Sequence, residues 1–269
     1  MANCSSKIPA ASPVAVGNKG RDTTYPHFKT RAGYITQAAQ KRYIDSEVSK
    51  GRLPKEAHRM AHIVSLDASN DPTQRIFFWQ LFSVLGEVRV EKLVRQFYER
   101  VFADTEDHKF RKAFSDLSGI DHHVWAQSMM WMDAFGGGPK YHGGEYRLQF
   151  HHQHNAMQVL NRQGAERWVK HMVDTLNSPK ADLTSDPRVR VALNDFLGFY
   201  MDKYAKEFCF DGRGLQFGNA TAKLNFLTMT EEDIGKIPTA QLKEALIARG
   251  VDVSQCLEKE DLVKKALNL

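Results

Sequence analysis

The residues of this chain that could do chemistry are histidines and polar aromatics, because its cysteines are few and scattered. Cys4, Cys209 and Cys256 lie far apart and are odd in number, so they predict neither a disulfide framework nor a CxxC metal site. Three of the eleven histidines lie within four positions, at His151, His152 and His154. A neutral imidazole can ligate a metal, although a histidine taken alone is more often a surface or satisfied core residue.

Length and composition indicate a globular protein with room for a sizeable core. The chain has 269 residues, of which 42% are hydrophobic and 26% charged. Its longest apolar stretch, 76–85, falls far short of the roughly 18 residues of a spanning helix, so we expect no membrane segment. The N-terminus lacks the apolar core of a secretory signal. We expect a cytoplasmic protein, with organelle targeting as the alternative because the first acidic residue is Asp22.

The first quarter of the chain reads as an extension. Residues 1–28 are rich in Ser, Pro, Gly and Ala without apolar periodicity, which predicts a disordered basic tail. Residues 1–60 hold eleven Lys+Arg against four Asp+Glu. Such a tail can attract nucleic acid or an acidic surface, but a solvated extension is commoner. Residues 29–76 predict a helical N-terminal extension, with helices over 34–48 and 54–65 that pack on the next domain.

The central part, 77–210, shows the apolar period of amphipathic helices. The periodicity predicts helices over 84–102, 121–135, 164–176 and 186–208. The Gly-Gly-Gly-Pro run at 136–139 ends one of them and turns the chain. Almost nothing reads as a strand, so the predicted fold class is all-α. A linker over 211–227 then leads to a small helical unit, 228–269, whose first helix begins near Thr230.

The segment 97–104, Phe-Tyr-Glu-Arg-Val-Phe-Ala-Asp, resembles the FYxRVxxD signature of truncated (two-over-two) haemoglobins. Further fragments follow in that family's order: Phe114-Ser115, 123–135, Gly137-Gly138-Pro139 with Tyr141, and 165–168 with Met172. The resemblance spans 79–204, and Trp168 is typical of the family's group II. It implies a truncated-globin-like helical sandwich that holds haem b and its iron.

In that family the proximal iron ligand is a histidine between the Gly-Gly-Pro turn and the pocket tryptophan. Its spacing from Tyr141 and Trp168 makes His154 the expected ligand. His152 is the alternative, because 144–152 with Leu148 also copies the family pattern. Gln153 stands where the family often has Arg. A five-coordinate iron needs one neutral imidazole on an apolar slot, with the opposite face open.

The resemblance also implies a set of distal residues. Donors to a bound gas would come from Tyr98, His123, Gln127 and Trp168, with Phe114, Met130 and Trp131 as apolar contacts. Hydrogen bonds from such donors in low dielectric slow the escape of O₂. As a sixth iron ligand, His123 would instead favour electron transfer. The run 129–132, Met-Met-Trp-Met, is typical of gap-filling core.

The sequence therefore predicts a haem protein that binds O₂ and also NO or CO. Use of the gas in NO-dioxygenase or peroxidase-type chemistry would need a separate reductase, because no GxGxxG fingerprint occurs. A haem-based gas or redox sensor or adaptor is the alternative, and a globin scaffold without haem is a third possibility.

The C-terminal segment, 237–263, resembles SAP-like helix-extended-helix modules. True SAP domains bind DNA, but the acidic residues Glu258, Glu260 and Asp261 oppose contacts with phosphates. We expect a protein partner rather than nucleic acid, or else a packed hairpin without a partner.

Overall fold

The computed structural model describes residues 27–218, 226, 230–247, 251, 253, 255–256 and 258–268. The α-helices of these segments, in chain order, are α1 (Thr36–Ser49), α2 (Ala61–Val64), α3 (Leu81–Phe102), α4 (His108–Ser115), α5 (Ile120–Ala134), α6 (Gly144–His154), α7 (Arg162–Leu176), α8 (Pro187–Glu207), α9 (Glu231–Lys236), α10 (Thr239–Ile247) and α11 (Lys259–Leu267). Short 3₁₀ turns lie at Ala57–Arg59, Phe78–Gln80 and Pro179–Ala181. The described residues form no strand beyond one isolated bridge, Arg31 to Gly137. The prediction of an all-α fold is confirmed.

Helix α3 is the centre of the main core. It packs against α5 and α7 along an apolar stripe at helical spacing that includes Val90, Leu93, Val94, Phe97 and Val101, all fully buried. Helix α8 covers the same core with Phe196 and Leu197. No helix of the described segments is long and apolar enough to cross a membrane.

The start of α3 contains a break that the periodicity did not indicate. Gly86 has φ +64° and ψ −177°, a conformation essentially confined to glycine, so the helix kinks there. The Phe28 ring packs against this glycine, and the Phe28 N–H donates to the Ser83 carbonyl at 3.0 Å. The first described residues therefore lie on the main domain. Residues 1–26, on which most of the predicted disordered tail falls, lie outside the described segments.

The N-terminal helix is joined to the main domain through one buried carboxylate. Asp133, fully buried at the end of α5, accepts hydrogen bonds from the backbone N–H groups of Tyr34, Ile35 and Tyr141. The turn before α1 and the chain after the glycine turn are thus held at one point. Apolar residues of α1 belong to the same core as α3 to α8: Ile35, Ala39, Tyr43 and Ile44.

Several element boundaries differ from the predicted ones. The helix predicted over 54–65 is broken into a 3₁₀ turn and the single turn α2. Two helices, α4 and α6, were not predicted. Helix α4 is short, and the residue before it, Asp107, caps its N-terminus: the Asp107 side chain accepts from the Phe110 N–H at 2.9 Å. Helix α6 has a weak apolar stripe, because only Gly144 and Leu148 of its eleven residues are buried.

The C-terminal unit has a core of its own. Its buried residues come from α9, α10 and α11 and include Ile234, Leu242, Leu246 and Leu262. None of them belongs to the cluster formed by α1 to α8. Since helices of six to nine residues are marginal alone, their mutual packing stabilises them.

Candidate functional site

A cavity of about 490 Å³ lies among α3, α4, α5, α6, α7 and α8. That volume is within the range of small-molecule and cofactor sites. All seven residues predicted as distal or apolar contacts line it: Tyr98, Phe114, His123, Gln127, Met130, Trp131 and Trp168. His152 lines it as well, and His154 does not.

Tyr98 and Gln127 form a hydrogen-bonded pair in the cavity wall. The Tyr98 hydroxyl donates to Gln127 Oε1 at 2.7 Å. Burial raises the pKa of Tyr98, so the phenol keeps its proton. The amide Nε2 of Gln127 is buried and has no hydrogen-bond partner among the described residues. Because an unpaired buried donor costs free energy, this nitrogen marks a place for an acceptor that the chain itself does not supply.

His123 is buried against Tyr98 and Phe114. Its ring stacks on the Tyr98 ring at 5.1 Å, and its Nε2–H donates to the Phe114 carbonyl at 2.9 Å. Burial lowers the pKa of His123, which favours the neutral imidazole. Because Nε2 is engaged by a backbone carbonyl, this arrangement does not favour His123 as a sixth iron ligand.

Trp168 enters the cavity from α7, and a buried charge cluster fixes that helix. The Asp104 carboxylate, inaccessible to solvent at the end of α3, binds Arg167 Nε at 2.6 Å and His171 Nε2 at 2.7 Å. The Arg167 guanidinium holds the pKa of Asp104 well below its usual range. Trp168 lies between these two partners in sequence, and its ring packs on Phe97 at 4.8 Å.

His152 is the histidine of α6 whose surroundings fit a metal ligand. Its Nδ1 is buried without a hydrogen-bond partner among the described residues, and its ring lies 4.4 Å from the Tyr204 ring. Burial lowers the pKa of His152 to about 3, so the imidazole is neutral at physiological pH. A neutral imidazole with an unpaired nitrogen at a cavity wall is the chemical state that a haem iron requires.

The neighbouring histidines are placed differently. His151 also lines the cavity, and burial together with the nearby His123 lowers its pKa. His154 is exposed: its ring stacks on Phe150 at 4.1 Å, and its Nδ1–H donates to the Phe150 carbonyl at 2.9 Å. The side chain predicted as first ligand is therefore outside the cavity, whereas its predicted alternative is inside.

Tyr200, Tyr204 and Arg147 also line the cavity, and no role was assigned to them from the sequence. Tyr200 and Tyr204, one helical turn apart on α8, line the cavity beside His152, and the buried Tyr200 hydroxyl has no partner among the described residues. Arg147 lies 4.6 Å above the Tyr141 ring and 5.7 Å from that of Trp125. The i, i+4 tyrosine pair on a predicted helix was the available signal for the α8 side. Nothing in the sequence marked Arg147.

The cavity residues fit a haem in shape and in chemistry. The walls are mainly aromatic and aliphatic, with the neutral imidazoles of His123 and His152 and the Arg147 guanidinium, whose charge suits an anionic carboxylate. The described residues hold no cluster of three or more His, Cys, Asp or Glu side chains that could bind a bare metal ion. A haem does not need one, because the porphyrin itself supplies four nitrogen ligands and the protein adds one or two.

Comparison with known proteins relates the part of the chain that forms this site to a protein family. Residues 80–197 match the family model described as bacterial-like globin. The matched range runs from the residue before α3 into α8 and contains every predicted site residue, so it supports a globin domain in this part of the chain. No curated protein and no solved structure matches the chain. The group II and SAP-like assignments stay predictions.

Proposed function

We propose that the globin domain of this chain holds a haem b through His152 and binds a diatomic gas, O₂ foremost, beside Gln127. The observation that carries this proposal is the buried Nδ1 of His152, which has no hydrogen-bond partner among the described residues, in a cavity of about 490 Å³ lined mostly by residues of the globin-family match. Once bound, the haem supplies the iron to which the gas attaches and which can exchange electrons.

His152 is a better candidate than His154 on desolvation grounds. The imidazole must be neutral to bind iron, and burial keeps His152 neutral over the whole physiological range. His154 would have to break its hydrogen bond to the Phe150 carbonyl and turn from solvent into the cavity. If His152 is the ligand, the loop departs from the family's length after the ligand and not before it.

On the gas side, the chain offers preorganised donors. Tyr98 fixes the Gln127 amide through its hydroxyl, which leaves Nε2 free to donate to the outer atom of a gas. The Trp168 indole is a second donor at the same cavity. The truncated, group II character is part of this proposal, since it rests on that donor set.

A histidine scan tests the proposal. The purified full chain should show a Soret band, with CO-sensitive ferrous bands. Loss of a residue that hydrogen-bonds a metal ligand typically lowers the metal affinity about 10- to 100-fold. His152→Gly removes the ligand itself, so it should weaken haem affinity by more than that. Added imidazole should restore the Soret band. His154→Ala is the matched control on the same helix and should keep the wild-type spectrum. A bleached His154 variant beside an unchanged His152 variant would overturn the assignment.

Redox use of the gas is the enzymatic extension of this proposal. NO-dioxygenase or peroxidase-type turnover would need electrons from a separate reductase, because the chain has no GxGxxG fingerprint. Catalytic NO consumption by the oxygenated protein with a supplied electron donor would support it. A single stoichiometric reaction with NO, without turnover, would mean that the chain is a gas carrier and not an enzyme.

For residues 228–269 we infer a protein-docking unit, which is the part a sensor or adaptor would use. Its separate core makes it a unit, and Glu258 and Glu260 are exposed at the start of α11. Charges of this sign oppose phosphate contacts. The full chain should not shift a labelled DNA duplex at low salt, and a salt-sensitive shift would contradict this inference.

A further inference from the structure

Helix α6 carries His152 on very little core of its own. Only Gly144 and Leu148 are buried among its eleven residues, while Tyr146 and Phe150 are among the exposed large side chains of the chain. A helix with so little buried surface is poorly held by apolar packing. Its position, and with it the direction of the His152 imidazole, must depend on other contacts.

Several of those contacts come from a segment that precedes the globin match. Tyr34 packs against Gly144, whose φ is +51° and whose missing Cβ would lie 3.1 Å from the Tyr34 Cβ. The Tyr34 ring also lies 5.5 Å from that of His142. Nearly two turns into α1, the Arg42 guanidinium binds the Glu145 carboxylate through both of its terminal nitrogens. Residues 34–42 therefore contact the first turn of α6 at several points.

The segment that makes these contacts is itself rigidly held. Ile35, Ala39 and Ile44 are buried in the main core, and Tyr43 packs edge-to-face against Phe78 and Trp79. Asp133 fixes the turn before α1 from the other side. An ion pair that links a well-anchored helix to a loosely packed one transmits the position of the first to the second.

We propose that the Arg42–Glu145 pair is a positioning pair that braces α6 and so sets the orientation of the haem-binding imidazole. The proposal rests on the function proposed above, in which His152 holds the haem. It extends the working part of the globin domain to α1, which lies before the matched residues 80–197. The pair is half exposed, with side-chain accessibilities of 37% and 34%, so its loss should not unfold the domain.

Two measurements on the full chain test the brace. The first is haem loss to a second apo-globin in excess, together with the iron–imidazole stretching band of the ferrous protein. The variants are Arg42→Gln, Glu145→Gln and the charge swap Arg42→Glu with Glu145→Arg. The control is Asp195→Asn, which removes an arginine–carboxylate pair of similar exposure that does not involve α6.

We expect each single variant to release haem about tenfold faster, since a charge-assisted bond is lost. We also expect a broader iron–imidazole band, because the ring samples more orientations. The charge swap should return both the haem-release rate and the width of the iron–imidazole band most of the way to the wild-type values. The Asp195 control should stay within about twofold of wild type. Equal rates in Arg42→Gln and Asp195→Asn, or an unaltered band in both single variants, would overturn the proposal.

The second measurement does not depend on haem. Hydrogen–deuterium exchange of the haem-free full chain should speed up over 144–154 in Arg42→Gln and remain unchanged over α3. If the wild type binds no haem, the proposed function fails, and the exchange result alone decides whether the brace exists. If the wild type binds haem but exchange over 144–154 does not respond, the brace is rejected and the proposed function stands.

Discussion

At the scale of single residues, the separate roles proposed for Gln127 and Tyr98 in gas binding can be measured. Tyr98 has one hydroxyl hydrogen and donates it to Gln127, whereas Gln127 Nε2 has no partner in the part of the chain that the structure describes. Gln127→Leu should therefore raise the O₂ dissociation rate about five- to tenfold, the worth of one net hydrogen bond. Stopped-flow displacement of O₂ by CO measures it.

Tyr98→Phe should also raise the O₂ dissociation rate, because it releases the Gln127 amide. In the double variant its effect should largely vanish, and a double-mutant cycle measures this coupling. Trp168→Phe, which removes a donor on another helix, should act independently of Gln127→Leu. CO carries less negative charge on its outer atom and should respond more weakly. Equal responses of O₂ and CO would mean that these residues control access by their bulk.

Asp104 allows a prediction about pH. Its folded-state pKa lies below the unfolded value of about 3.9, mainly through Arg167, so its contribution is complete above pH 4. Below that, the unfolded chain takes up a proton that the folded chain does not, and stability falls with pH. Asp104→Asn should lose about 3 kcal/mol at pH 7, since it breaks a buried pair.

Urea unfolding of the Asp104→Asn chain between pH 7 and pH 3 checks this. The difference in the free energy of unfolding between this variant and the wild type should narrow as the pH falls below 4. Glu106→Gln is the control, because Glu106 pairs with the same Arg167 at the surface and its loss should cost less than about 1 kcal/mol. A gap that stays constant down to pH 3 would show that Asp104 stabilises the fold by shape rather than by charge.

The site could be predicted in part at this scale. All seven predicted distal and apolar residues line the cavity, since a pattern of aromatic and polar types at helical spacing survives small shifts of register. Choosing between His152 and His154 required the direction of each ring. These side chains differ by two positions and hence by about 200° around α6, so a two-residue uncertainty in the loop reverses the choice.

At the scale of elements, the kink in α3 shows that the apolar period of a sequence can continue through a break in the helical backbone. Gly86→Ala should destabilise the domain by at least about 1 to 3 kcal/mol, because a Cβ there is strained at this φ and ψ and would meet the Phe28 ring at 2.7 Å. Gly198→Ala is the matched control, with nothing near its missing Cβ in the middle of α8. It should stabilise by about 0.5 to 1 kcal/mol.

Thermal unfolding monitored by circular dichroism distinguishes the two glycine variants. If Gly86→Ala proves neutral, α3 can straighten and the Phe28 contact is dispensable. The periodicity predicted one helix over 84–102 since apolar spacing continues through the break. Long stripes such as those of α5, α7 and α8 were predicted almost to their ends, whereas α4 and α6 were missed because a few buried residues do not make a readable period.

At the scale of the whole molecule, the two separate cores predict that a destabilising substitution affects only the unit in which it lies. Leu246 is fully buried in the C-terminal unit, and among the described residues none that lines the cavity lies beyond Phe210. Leu246→Asp should unfold that unit and leave the haem spectrum unchanged. Leu193→Asp, at a fully buried position of α8, should abolish haem binding. Hydrogen exchange by region with the Soret band measures both, and a lost Soret band in Leu246→Asp would show that the units depend on each other.

The bonds between Asp133 and the turn before α1 also set an order of assembly during synthesis. Ile35 and Asp133 are 98 positions apart, so α1 has no partner on α5 until those residues leave the ribosome. At about 5 to 20 residues per second, that interval lasts roughly 5 to 20 s. A lone 14-residue helix is marginal in water. The first described helix is thus among the last to reach its final position, and a nascent chain that stalls before residue 133 keeps Ile35 within reach of chaperones.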